Sequence, residues 1–330
     1  MLYFRFPFSE TILTTDFSSE NTAVSFVPFD KETLLNFKGK TTEISREEFL
    51  AKPLTSSHIA NTLLEFRAET ADDYQNKIAE VIRFVKKNEL PKLVISRKKI
   101  LKYNGLEVNL SESFLNLCKA YANAFVYVFL QEGKCWMGAF SEVLGKFDKQ
   151  TNSFETMSLA GTLPTNEQWT SKELEEQKTV TNFVAGILEK PAERIKISET
   201  KDHISGNIKH LRTDFKVQIK AENLDELISQ LHPTPAVCGI PKEFCKNAIA
   251  NFEDYNRKFY AGYIKVESEN LVQYFVNLRC AEFLNNAAFL YVGGGITANS
   301  EPKKEWAETE LKAEAVLNNI FFQEKISASK

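Results

Sequence analysis

Glu305, Glu308 and Lys312 fall at i, i+3 and i+7, and Ala315 and Val316 continue the same helical face, so two carboxylates and an ammonium share an apolar side. Glu176 repeats the pattern, its stripe completed by Val180, Phe183, Val184 and Ile187. Carboxylates from separate helices that face one pocket repel unless a hard cation bridges them, and oxygen-only ligation without Cys or His selects Mg²⁺. One or two carboxylates suffice for that ion, which leaves its other positions to water and to an anionic group of a ligand. Gly293-Gly294-Gly295, read as a turn ahead of the acidic helix, fits an anion held over such a cation. Two plainer explanations share the spacing: a solvated acidic helix with an i,i+4 Glu308–Lys312 pair, and buried structural ion pairs.

Two further groups could move protons. Lys92 opens a segment that is apolar on both faces, with Leu93, Val94 and Ile95 next. A low-dielectric setting would favour the neutral amine, which can act as a base; a lysine snorkelling at a strand entrance is the alternative. Glu142 stands between Phe140 and Val143. An acid flanked by apolar groups could stay protonated and serve as a general acid, or it could simply be the acid of a tight turn.

The elements that must position these groups follow from periodicity. Thr70 is a candidate cap for a helix with Tyr74, Ile78, Val81, Ile82 and Val85 inward, ending before Pro91. A strand over 92–100 follows, then a helix near 111–121. Apolar runs at 124–131, 134–140 and 143–147, broken at Glu132-Gly133 and near Gly145, predict a meander of antiparallel strands. Ser171 can cap a helix with Leu174, Val180, Val184 and Ile187 inward. After it come a strand at 207–219, a short helix near 224–231, and strands at 259–266, 272–279 and 288–292. The first 65 residues read as irregular strands without a recognisable site, part of the same unit as the catalytic region at 66–330. That order predicts an α+β fold, large antiparallel sheets covered by helices, in a single domain.

Composition narrows the function classes. With 41 basic and 44 acidic residues and a net charge of −3, no global field favours nucleic acid or an anionic membrane. No run approaches the ~18 apolar residues of a membrane span, and a basic start followed by an apolar stretch is missing, so a cytoplasmic protein, acting as a monomer, is expected. Cys118, Cys135, Cys238, Cys245 and Cys280 contain no Cys-x-x-Cys pair, and no two of the four histidines stand at i,i+4. Neither a disulfide framework nor zinc chemistry is expected.

Seven ordered segments between residues 92 and 317 carry a resemblance: KLVISR from Lys92, GAFSEVL from Gly138, SLAGT from Ser158, HPTPAVCGIP from His232, FYAG from Phe259, LRCA from Leu278, and GGGI through EWAETELKA to Ala313. Together they resemble the chorismate-utilising enzymes, most closely the isochorismate-synthase branch. The resemblance implies two large antiparallel β-sheets packed together with helices outside, around a deep site that binds chorismate with Mg²⁺. It implies that Lys92 activates water for attack at ring carbon 2, and that Glu142 protonates the departing 4-hydroxyl. Glu176 and Glu308, with Glu305 nearby, match the acids of the magnesium site. Arg279 and Tyr260 match positions that hold the enolpyruvyl carboxylate, a task suited to a planar guanidinium. Gly161, Thr162, Gly293, Gly294 and Lys312 match further substrate contacts, and His210 matches an active-site histidine.

Three positions bear on the branch. Lysine at 92 resembles the water-using enzymes, Ala160 takes the place of the nucleophilic lysine of aminodeoxychorismate synthases, and Ala236 resembles the isomerising enzymes rather than the salicylate-forming ones. The resemblance thus implies isomerisation of chorismate to isochorismate, with menaquinone synthesis as the expected destination and siderophore synthesis as another. A salicylate synthase, an amidotransferase partner subunit and a non-catalytic chorismate-binding protein are the alternatives. The chain departs from the pattern at Phe140-Ser141, at Gln177 where histidine is usual, and at Asn256 and Lys258 in place of Glu and Gly.

Overall fold

Phe125-Val126-Tyr127-Val128-Phe129 alternates rings with β-branched side chains, and a strand turns such alternation into two different faces. In the computed structural model, which describes residues 1–190 and 194–325, the valines point out toward Phe114 and Leu117 of the Leu110–Ala120 helix. The rings point inward to a second sheet. Phe125 stacks on Phe275 at 4.4 Å between centroids, and Phe26 meets Phe129 edge-on at 4.6 Å. Burying each ring contributes about 1.5–3 kcal/mol, and a well-placed ring pair adds ~1 kcal/mol.

Both large sheets have nine strands, and every pairing is antiparallel. The first sheet is centred on Lys92–Lys102, Ala287–Ile296, Cys280–Phe283, Lys134–Phe140 and Phe125–Gln131. The second runs through Ile208–Gln218, Ser153–Pro164, Val143–Asp148, Leu271–Val276 and Tyr263–Glu267. Helices Ala71–Lys87 and Pro302–Leu317 pack outside the first sheet, and Ser171–Leu188 packs on the second. The expected α+β architecture of two packed antiparallel sheets with outer helices is therefore the observed one.

Several local expectations need correction. The first 65 residues form regular strands: Leu2–Arg5, Ile12–Thr15 and Thr41–Ile44 extend the first sheet, while Thr22–Val27 and Leu35–Lys38 extend the second. The three runs from 124 to 147 are not one meander, because Val143–Asp148 leaves its predecessors and pairs in the other sheet. Phe259 to Gly262 form a turn, and the strand starts only at Tyr263. The glycine run is not a turn: Gly293, Gly294 and Gly295 pair with Ser96, Ile95 and Val94 inside a strand. The helix predicted from Ser171 is capped by Thr170, whose N–H donates to Glu173 Oε2 at 3.1 Å. Leu174 is 51% exposed, and Glu173 and Gln177 take the inward positions instead. The first turns of that helix face a polar region, so its inward stripe is polar there and apolar only from Val180 onward.

Candidate active site

Glu142 owes its place to the crossover between the sheets. The chain leaves the first sheet at Phe140 and enters the second at Val143, so Ser141 and Glu142 bridge the two layers. The Glu142 carbonyl accepts a hydrogen bond from Val276 N at 3.1 Å, while its carboxyl has no hydrogen-bond partner among the described residues. Burial pushes that carboxyl up to about 7, against the pull of the Lys92 ammonium.

Lys92, the first residue of its strand, is 2% exposed, and its Nζ donates to Glu176 Oε1 at 2.5 Å. Burial pushes the Glu176 carboxyl up, but Lys92, assisted by Lys312 and Lys172, outweighs it and holds the group below the ordinary range. The neighbouring strand must be bare for this pair to exist. A Cβ on Gly295 would sit 2.2 Å from Lys92 Cε and 3.1 Å from Glu176 Oε1. One on Gly293 would sit 2.9 Å from the Tyr260 hydroxyl. The glycines serve close approach within a strand rather than a turn.

Gly161 lies where the register of the Ser153–Pro164 strand shifts, with φ +71°, and the bulge turns its carbonyl toward His210. His210 Nδ1 is 2.7 Å from that carbonyl oxygen, which can only accept, so the ring proton sits on Nδ1. Burial, then the Arg279 charge, holds the imidazole well below its ordinary pKa, so it is neutral. Its free Nε2 accepts from Arg279 Nη2 at 3.3 Å. Arg279 itself is in the left-handed region at φ 47°, a strained conformation for a non-glycine residue and one that recurs at functional sites. Asn277 ties the two anion-facing groups together: its Nδ2 donates to Phe259 O at 2.9 Å and its carbonyl accepts from Ala261 N at 2.8 Å, fixing the turn that presents Tyr260.

These groups surround one cavity between the two sheets. Lys92, Glu142, Gly161, Thr162, Glu176, His210, Ala236, Tyr260, Arg279, Gly293, Gly294 and Lys312 all line it. Glu305 and Glu308 do not; they lie against Gly294, where a Cβ would be 3.0 Å from Glu305 Oε2 and 4.0 Å from Glu308 Oε1. Arg279, neutral His210 and the Lys312 ammonium make one wall suited to carboxylates, with Lys312 Nζ also donating to Gly293 O at 2.9 Å. Lys92 and Glu142 supply a base-type and an acid-type group. Of the other lining residues, Gly295 and Ser141 stand in segments the sequence singled out but were given no individual role, and Ser141 Oγ is 2.7 Å from His203 Nε2. Ser205 and Tyr291 carried no sequence signal.

Among the described residues, no three acidic, Cys or His groups converge as a ready-made metal cluster. Each acid is instead matched by a lysine: Glu176 by Lys92 at 2.5 Å, Glu305 by Lys172 at 2.9 Å, and Glu308 by Lys312 at 2.6 Å. Glu305 is nevertheless fully buried with Oε2 unpartnered, and burial, then the nearby Glu308 charge, raises its pKa. An orphan carboxylate oxygen beside a second carboxylate is a donor set that a hard divalent cation satisfies, and Mg²⁺ needs no more than one or two such ligands. The residues fit that ion.

Two antiparallel sheets closing on a cationic wall, with an acid and a lysine facing one another's field, define an enzyme-type site for a small polyanion. The family described as chorismate binding enzyme matches residues 30–321, and the chain belongs to that family. Among curated relatives, the isochorismate synthase MenF of Haemophilus influenzae is 29% identical over 54% of this chain and 44% of the relative. The isochorismate synthase DhbC of Bacillus subtilis is 26% identical over 74% of this chain and 67% of the relative, and MenF of Escherichia coli is 24% identical over 82% and 66%. The aligned part thus spans 44 to 67% of the length of these relatives. Among solved structures, the menaquinone-specific isochorismate synthase MenF of Escherichia coli superposes with a TM-score of 0.78 at 21% identity, over 96% of this chain and 88% of that one. Anthranilate synthase component I of Streptococcus pneumoniae gives 0.66 at 18% identity, over 77% and 60%. At those identities the two structures speak for the fold, which serves more than one chemistry.

Proposed function

We propose that this chain is an isochorismate synthase, a Mg²⁺-dependent isomerase that converts chorismate to isochorismate. The observation that carries the reading is that Lys92 and Glu142 line one cavity and feel each other's charge, as an allylic displacement between two proton-transfer groups requires. Lys92, an ammonium in the resting ion pair, first gives up a proton to solvent; its neutral Nζ then takes a proton from the water that attacks ring carbon 2, while Glu176, 2.5 Å away at rest, orients the amine. Glu142 gives its proton to the departing 4-hydroxyl, which leaves as water as the C4–O bond breaks and both ring double bonds shift. One water is consumed and one released, and proton exchange with solvent resets both groups. Arg279, His210 and Tyr260 orient the side-chain carboxylate. Glu176, Glu305 and Glu308 are the residues that would hold Mg²⁺, which when bound would neutralise the ring carboxylate and stabilise an electron-rich transition state. We propose that the chain acts as a monomer, which size-exclusion chromatography with light scattering would test.

A curated relative specific for vibriobactin and a solved structure specific for menaquinone both match, so similarity favours neither destination. Menaquinone synthesis is the proposed one, and loss of menaquinone on deletion of the gene is its test.

The deciding experiment incubates the purified protein with chorismate and Mg²⁺, without ammonia, and separates the products. Isochorismate as the main product, abolished by chelation, is expected. Salicylate with pyruvate would make the chain a lyase, and metal-dependent binding without any product would make it a binding protein. Because Glu142 must be protonated to act, kcat/KM should fall as pH rises through about 7. Glu142→Gln should lose about 10²–10⁴-fold in turnover.

A further inference from the structure

We infer that Lys172 is the resident cation of the acid cluster and the group that a divalent ion must displace, so that this side chain sets the affinity of the protein for its metal. The inference rests on the Mg²⁺-dependent reading above. Glu176, Glu305 and Glu308 carry three negative charges, and Lys92, Lys312 and Lys172 carry three positive ones, so the cluster is neutral before any metal arrives. A divalent ion added to a neutral, buried cluster leaves two uncompensated positive charges in a low-dielectric region, which is unfavourable unless an ammonium departs.

The three lysines are not equally free to go. Lys92 is 3% exposed at its side chain and faces the cavity, and Lys312 is 15% exposed and held by a second bond to Gly293 O. Lys172 is 28% exposed, makes a single hydrogen bond, to Glu305 Oε1 at 2.9 Å, and does not line the cavity. It sits in the first turn of the Ser171–Leu188 helix, and its ammonium also interacts with Glu308 and Glu176. A flexible four-carbon stem can carry that strongly hydrated charge out to solvent. Glu305 has no such freedom: it is fully buried and its Oε2 already lacks a partner, so the acid stays as a ligand when the lysine leaves.

The test is calorimetric titration of the intact protein with Mg²⁺ and with Mn²⁺, without chorismate, for the wild type, Lys172→Met and Lys172→Arg. Removing the charge while keeping the stem should tighten metal binding by about tenfold or more, whereas Lys172→Arg should stay within about threefold of the wild type. A merely structural lysine would show the opposite, lower thermal stability with no gain in affinity. Unchanged or weaker binding by Lys172→Met, in a wild type that does bind metal, overturns the inference and leaves the Mg²⁺ reading intact. No metal binding by any of the three proteins, with or without chorismate, overturns both. Should Lys172→Met fail to fold, Lys172→Gln removes the same charge and is read the same way.

Discussion

The space between the two sheets is filled in two contrasting ways. At one end Phe26, Phe125, Phe129 and Phe275 pack ring on ring, and at the other Lys92, Glu142, His210 and Arg279 surround a cavity. The boundary is a single peptide: Phe259 joins the ring cluster through Phe26, Phe129 and Trp136, while Tyr260 stacks on Tyr291 and lines the cavity. The rings gain free energy by leaving water, and the buried carboxyl of Glu142 loses it. Raising that group from 4.5 to about 7 corresponds to about 3 kcal/mol at alkaline pH, roughly what one buried phenylalanine supplies. A chain of this length can hold an unfavourable acid in place because the other half of the same interface is dominated by packed rings.

Four changes would break or sharpen that contrast. The largest effect is expected for Lys92→Ala, which should lower isochorismate formation by on the order of 10³-fold or more while chorismate still binds calorimetrically and the fold persists. Near-normal turnover would mean that another base operates. Phe129→Ala, in the apolar half, should cost about 3–5 kcal/mol in urea unfolding and leave the pH–rate profile of the folded enzyme where it was. If that profile moved, the two halves would not be independent. Gly295→Ala should lower kcat by about 10²-fold with little loss of stability, because its Cβ would stand 2.2 Å from Lys92 Cε and push the amine off line. The smallest effect, and the most diagnostic, belongs to the stability of Glu142→Gln. A carboxyl raised in the folded state contributes stability that is fully present below about 4.5 and lost as pH rises through about 7. The variant should therefore be more stable than the wild type by about 2–3 kcal/mol at pH 8, and the gap should close below pH 4.5 in thermal melts. A gap independent of pH would show that Glu142 is not buried as a strained acid.

Much of the apolar packing was legible from periodicity, since Phe125 to Phe129 alternate between the sheets and Tyr74 to Val85, on the outer helix, keep helical spacing. Less of the cavity was. The glycine run read as a turn because glycine ordinarily breaks strands, whereas here three bare positions are needed for Lys92, Glu305 and the Tyr260 hydroxyl to come close. Hydrophobicity marks Leu174 as an inward residue, and the polar surroundings of the helix start reverse that rule for one turn. Lys172 carried no signal at all: it meets Glu305 across 133 residues of sequence, and nothing local separates it from a solvated lysine.

The sequence by itself determined the kinds of group available, oxygen ligands without thiolate or imidazole pairs, the alternation that builds two-faced strands, and the ordered segments that mark the family. Only the tertiary structure decided which charges meet and what each one costs. Ion pairing and desolvation depend on atoms far apart in the chain and on how much water they keep. Periodicity reports a residue's own element and is silent about the element that will face it. The crossover that carries Glu142 from one sheet to the other, and so makes a turn residue into a buried acid, exists only once both sheets have formed.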